Sequence, residues 1–239
     1  MKSLLSVFAF LALGNLSLGQ KQRFTEREIT IYNEGWNLKG DLLQAKSKSP
    51  IVVLLNKANG NRQVYEELAQ LLKQKGISSL RIDLRGHGES INLGKFIPFD
   101  SANNSKIHLE NTYSDIIAIH KFLLTLKIDT TKIALIGASY SGEAMMEAAR
   151  HFRTAFAYIA LSPGSFSSES ISSLDSLSTP MLFIKSMDEK SMQGFEKDVY
   201  SKSSKAKFFI VAGKNHATDI LINYPDVAKL ICDWLKRYL

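Results

Sequence analysis

The chain has 239 residues, 45% of them hydrophobic and 22% charged, which is enough for one sizeable core within one ordinary α/β domain. Its single cysteine, Cys232, excludes an intrachain disulfide framework, and no Cys/His spacing suits zinc, so no metal site is expected. The formal net charge of +7 is spread along the chain among acids rather than gathered in a basic tract with interleaved aromatics, so nucleic acid is not indicated as a partner.

Met1-Lys2 precedes an apolar run from Leu4 to Leu13, and small residues stand at Ser17 and Gly19. This is the form of a secretory signal peptide over 1–19. Asn15 interrupts a run already shorter than the ~20 residues of a spanning helix. The expected mature chain is therefore a single domain over 20–239, secreted or periplasmic, without stable membrane insertion.

From Arg27 to Tyr32 and from Leu38 to Ala45 apolar and polar residues alternate around Asn33-Glu34-Gly35, which predicts two antiparallel strands joined by a turn. Ile51 to Leu55 is continuously apolar, as in a strand buried on both faces. Val64, Leu68, Leu71 and Leu72 have helical spacing and stop at Gly76, a C-cap signal. A second buried strand follows at Ile77 to Leu84, then a helix carrying Tyr113, Ile116, Ile117, Leu123 and Leu124. The alternation continues with a strand at Lys132–Ile136, a helix at Glu143–His151 and a strand at Ala155–Leu161. After a serine-rich stretch come a strand at Met181–Ile184, a helix at Met192–Tyr200 and a strand at Phe208–Val211. The apolar stripe Val227, Leu230, Ile231, Trp234, Leu235 marks a C-terminal helix from about Pro225, in which Cys232 is a packing residue. Strands alternating with helices predict an α/β, mostly parallel, doubly wound sheet with an antiparallel N-terminal strand pair. In such sheets chemistry sits on the loops after the strands' carboxyl ends.

Ser139 lies in Ile-Ala-Leu-Ile-Gly-Ala-Ser-Tyr-Ser-Gly (residues 133–142), where an apolar strand gives way to a helix. That is the pattern of a nucleophile elbow, whose sharp turn requires small residues two positions before and after the serine. Gly137 meets the first requirement, and Ser141 is a departure from glycine at the second. Asp188 and His216 follow later strands, so nucleophile, acid and histidine occur in that order along the chain. Glu189 is the rival to Asp188, because a shift of one residue in the loop would exchange them.

Arg81-Ile-Asp-Leu-Arg-Gly-His-Gly-Glu-Ser90, Thr179-Pro-Met-Leu-Phe-Ile-Lys-Ser-Met-Asp188 and Gly213-Lys-Asn-His216, together with the elbow, resemble segments of the α/β-hydrolase fold. The likeness extends over nearly the whole mature chain and is strongest to the lidless, dienelactone-hydrolase-like esterase branch, with serine where dienelactone hydrolases use cysteine. It implies no large cap domain, since Ser162 to Thr179 is short. It implies no cofactor, and a serine hydrolase acting on a small-molecule ester or amide through Ser139, Asp188 and His216. Tyr140 and Ala58 would supply the oxyanion-hole N–H groups. Asn56-Lys57 stands where the family usually has His-Gly, and Lys57 is either a solvated side chain or a receptor for a substrate carboxylate. His87 is implied to be structural, and His120 reads as a core residue. The alternatives are an acyl-peptide or aminopeptidase-type amide hydrolase and a binding module on a hydrolase fold.

Overall fold

Strands β1 (Glu26–Asn33) and β2 (Trp36–Leu43) are joined by Glu34-Gly35, both at positive φ (49° and 81°). Two central residues at positive φ make the tight hairpin turn whose twist matches its flanking strands, and glycine supplies the second without strain. The structure, a computed structural model, describes residues 26–97, 109, 111–126, 128, 130–151, 155–163, 179–189, 199, 203 and 205–238. The expected signal peptide, the serine-rich stretch over 164–178 and most of the helix expected at Met192–Tyr200 lie outside them.

The remaining strands are β3 (Ile51–Leu55), β4 (Ser78–Ile82), β5 (Ile133–Ala138), β6 (Ala157–Leu161), β7 (Met181–Ser186) and β8 (Ala206–Val211). They form one sheet in the order β1-β2-β4-β3-β5-β6-β7-β8. β2 runs antiparallel to both β1 and β4, and the pairs from β4 through β8 are parallel. This is the mostly parallel sheet with an antiparallel N-terminal pair that the alternation predicts.

Helices α1 (Glu66–Gln74), α2 (Thr112–Thr125), α3 (Tyr140–His151), α4 (Asp219–Asn223) and α5 (Pro225–Leu235) cover the sheet. Side chains alternate across a strand, so β3 serves two cores. Ile51, Val53 and Leu55 join Ile116, Ile119 and Leu123 of α2 and Met145 and Met146 of α3. Val52 and Leu54 join Leu68 and Leu72 of α1 and Val227, Ile231 and Trp234 of α5. All five residues of β3 are buried, each such side chain contributing ~1.5–3 kcal/mol over leaving it in water. Cys232 is buried in the second core, and burial pushes its thiol up to about 11, which suits packing rather than reactivity.

α1 ends as Gly76 predicts. Gly76 takes φ 78°, its N–H donates to Lys73 O (2.9 Å), and Ile77 N–H donates to Leu72 O (3.0 Å). These bonds satisfy carbonyls that the helix end would otherwise leave open.

The Arg85-Gly86-His87-Gly88 turn is built around a charge. Asp83 is fully buried and accepts from Arg62 N (2.7 Å), Arg62 Nη1 (2.5 Å) and Glu89 N (3.1 Å). Gly88, at φ 49°, passes so close that an added Cβ would lie 2.2 Å from Asp83 Cγ. His87 is buried between the rings of Phe96 and Tyr140, with centroid separations of 4.9 and 5.2 Å. Its expected structural role thus has a physical form, a ring stacked beneath the turn. His120 is buried on α2, and desolvation lowers its pKa.

Gly88→Ala combines overpacking with an unfavourable backbone and is expected to reduce unfolding free energy by roughly 2–4 kcal/mol, measured by urea denaturation.

Candidate active site

Ser139 is the residue between β5 and α3, and its φ of 55° is left-handed backbone that serine seldom adopts. Its N–H donates to Leu161 O (2.9 Å), and its carbonyl accepts from Gly142 N–H (2.9 Å). The elbow's demand for small residues is met by contact. A Cβ on Gly137 would lie 2.6 Å from Ser141 O and 2.7 Å from Gly142 Cα. Ser141 is tolerated because its hydroxyl turns back into the bend: it accepts from Ala138 N–H (2.7 Å) and lies 3.0 Å from Ala138 O and 3.2 Å from Leu55 O. A buried hydroxyl with such partners carries no desolvation penalty for an unmade bond.

Leu55 is also where β3 ends and the expected oxyanion loop begins. Asn56 is fully buried; its Oδ1 accepts from Leu84 N–H (2.9 Å), and its Nδ2 donates to Lys57 O (2.9 Å) and to Tyr140 Oη (3.5 Å). Lys57 O also accepts from Gly60 N–H (3.0 Å), closing a turn in which Asn59 takes the positive φ of 55°. Asparagine tolerates that conformation, so Lys57 has no need of it. Ala58 sits at the second position of the turn, where its N–H is outside the turn's own hydrogen bond. Tyr140 is the first residue of α3, where the helix geometry gives the N–H no intrahelical acceptor. Burial, reinforced by Asp115, holds the Tyr140 phenol well above its ordinary pKa, so it stays neutral.

The Lys57 ammonium is 2.7 Å from Asp219 Oδ1 at the start of α4. It is thus tied across to the segment that follows His216. This partner was not legible in the sequence, because α4 is a five-residue helix without a clear stripe of its own.

The acid facing the histidine is Glu189. Its Oε1 is hydrogen-bonded to His216 Nδ1, while Oε2 accepts from Ser162 Oγ (2.7 Å) and Ser186 N–H (3.4 Å). The Glu189 side chain is 6% exposed and that of His216 43%. Asp188, the residue expected there, is exposed in the turn after β7, its N–H donating to Gly213 O (2.9 Å). The reason is strand length. β7 does not stop at Ile184 but continues through Lys185 and Ser186, which pair with Ile210 and Val211 of β8. Met187 and Asp188 then occupy the outward turn, and the chain re-enters at Glu189, whose N–H reaches back towards Ser186 O (3.4 Å). Burial alone would raise the Glu189 pKa, but bonds from His216 and Ser162 outweigh it and hold the carboxyl below its ordinary value.

Ser139, Ser162, Glu189 and His216 thus follow β5, β6, β7 and β8, four neighbouring strands whose carboxyl ends share one sheet edge. Of the other histidines, His151 lies on α3 at 3.0 Å from Glu147 Oε1, and His108 lies outside the described residues.

No protein-family model and no curated protein matches the sequence. Solved structures do match the shape. The chain is similar to a predicted CIB-like hydrolase from Thermoplasma acidophilum, with a TM-score of 0.71 at 15% identity, covering 89% of this chain and 99% of that one. It is similar to a dienelactone hydrolase from Anabaena variabilis, with a TM-score of 0.71 at 21% identity over 90% and 98% of the two chains. An esterase from Pyrococcus furiosus matches with a TM-score of 0.69 at 15% identity over 90% and 91%. Together with the strand order, these likenesses show that the chain has the α/β-hydrolase fold, with no large cap domain among the described residues.

The depressed Glu189 pKa fixes a sign for acid stability. A carboxyl with a lowered folded-state pKa contributes stability in full above its unfolded value, and that contribution is lost as pH falls through the folded value. Below about pH 5, the stability difference between wild type and Glu189→Gln should shrink steadily with acidification in urea melts. A constant difference down to about pH 3 would contradict the assignment.

Proposed function

We propose that this protein is a serine hydrolase that cleaves carboxylic esters through an acyl-enzyme on Ser139. The observation that carries the reading is the buried Glu189 carboxylate bonded to His216 Nδ1 after β7 and β8, at the same edge of the sheet as the elbow after β5. With Nδ1 donating to Glu189, Nε2 keeps the lone pair that a general base needs. A serine hydroxyl is a poor nucleophile at neutral pH unless such a base takes its proton.

The Ser139 hydroxyl oxygen attacks the acyl carbon as His216 Nε2 accepts the proton, and Glu189 stabilises the imidazolium without itself being protonated. The negative charge on the former carbonyl oxygen is met by the N–H groups of Tyr140 and Ala58. Collapse breaks the ester C–O bond and returns the proton from His216 to the leaving alcohol. Water then repeats the cycle and frees Ser139. The elbow's strained backbone lifts the hydroxyl out of the turn, and the Asn56 bonds hold the Ala58 loop without help from substrate.

The names of the matched proteins, an esterase and two other hydrolases, support hydrolysis as the activity class. An amide hydrolase would draw on Lys57 as a receptor for a substrate carboxylate, and the pairing of Lys57 with Asp219 favours the ester reading. Secretion rests on Met1 to Gly19 alone: the exported form should be soluble and begin at or near Gln20, which N-terminal mass spectrometry checks.

Ser139→Ala should abolish turnover of p-nitrophenyl esters with the fold retained. Glu189→Gln should lower kcat by ~10⁴, the scale of a histidine left in the wrong tautomer, and Asp188→Asn should change it by less than about threefold. Undiminished turnover by Ser139→Ala would end the reading, and the reverse pattern in the two acid variants would return the acid to Asp188.

A further inference from the structure

Ser162 follows the last residue of β6 with φ 41°, is fully buried, and has no place in the chemistry above. A serine held at positive φ is strained where glycine would be at ease, so something other than backbone geometry keeps a side chain there. Its hydroxyl donates to Glu189 Oε2 at 2.7 Å, on the carboxylate oxygen that does not face His216. Its backbone is fixed as firmly, with Ser162 N–H donating to Ile184 O (2.7 Å).

The residues on either side reach the other half of the site. Leu161 O accepts the N–H of Ser139 itself (2.9 Å). Pro163 lies against the elbow, where a Cβ on Gly142 would be 3.2 Å from Pro163 Cβ. Three consecutive residues therefore contact the nucleophile's backbone, the acid's second oxygen and the first turn of α3.

We propose that Ser162 is a positioning residue of the active site, one whose hydroxyl locks the Glu189 carboxylate in line with His216 and whose neighbours tie that carboxylate to the Ser139 elbow. This rests on the serine-hydrolase reading above. A carboxylate held through one oxygen only can rotate away from the imidazole. With Ser162 on Oε2, and Ser186 N–H beside it, Oε1 stays on Nδ1. The same donor favours the ionised carboxyl, in accord with the lowered Glu189 pKa. Among the described residues, His216 is the titratable group in contact with Glu189, and its other contacts are neutral donors.

Ser162→Ala removes the hydroxyl and keeps the strain, whereas Ser162→Gly removes both. Two readouts are compared on the full chain: Glu189 carboxyl titration by ¹³C NMR, assigned with Glu189→Gln, and steady-state hydrolysis of p-nitrophenyl acetate. In both variants Glu189 should titrate at higher pH than in wild type. kcat should fall roughly tenfold with KM within about twofold, the scale of a hydrogen bond to a charged group. The glycine variant should be no faster than the alanine variant despite its relaxed backbone. An unchanged Glu189 titration in both variants, or wild-type kcat in Ser162→Gly, would overturn the inference. The titration needs no turnover, so it decides the Ser162 contact even if wild type fails to hydrolyse the ester, a failure that would sink the serine-hydrolase reading instead.

Discussion

Glu189 keeps its charge where little water reaches it, and a carboxylate in such a place persists only when donors replace the water it has lost. The donors come from the ends of neighbouring strands: Ser162 after β6, Ser186 N–H at the end of β7, and His216 after β8. Each is brought to the charge by the parallel ladder, so the spacing of the strands sets the geometry of the acid and the histidine. The arrangement is costly to break on one side only. A half-buried carboxylate–imidazole hydrogen bond of this kind adds little to net stability, but removing the imidazole takes from the desolvated carboxylate one of the donors that replace its water.

The Ser139 side of the site is governed by close approach rather than by charge. Gly137 is in near contact with the chain four and five residues ahead, and Ser141 folds its hydroxyl into the bend. Asn56 performs a comparable task on the opposite loop, tying the end of β3 to the end of β4 and touching the Tyr140 phenol. The Lys57–Asp219 pair then joins that loop to α4. This pair is partly exposed, so its effect lies more in where it holds the loop than in net stability.

Much of the fold was legible because hydrophobic pattern and turn chemistry agree. Ile51 to Leu55 has the continuous apolar run of a doubly buried strand, Gly76 sits where the α1 cap needs positive φ, and Asn33-Glu34-Gly35 marks the hairpin. The elbow was visible because Gly137 and Ser139 are constrained locally. Asp188 was expected to face His216, and Glu189 does so instead, because Lys185 and Ser186 are polar and the apolar run ends before the strand does. Both are buried, since the sheet continues beneath the site, and two extra strand residues turn Asp188 outward and Glu189 inward. α3 likewise begins at Tyr140 rather than Glu143, because Ser141 and Gly142 are weak helix formers. Ser162 offered no local signal at all. Its meaning depends on Glu189, a residue distant in sequence, and on a backbone angle that composition does not reveal.

The central claim is that Ser139 is an activated nucleophile, and the location of a covalent adduct tests it most directly. Folded protein treated with a fluorophosphonate should gain a single phosphonyl mass. Peptide mapping should place it on Ser139, and acid-unfolded protein should gain none, because an isolated serine hydroxyl lacks its base. An unmodified folded protein, or an adduct on any other serine, would contradict the account.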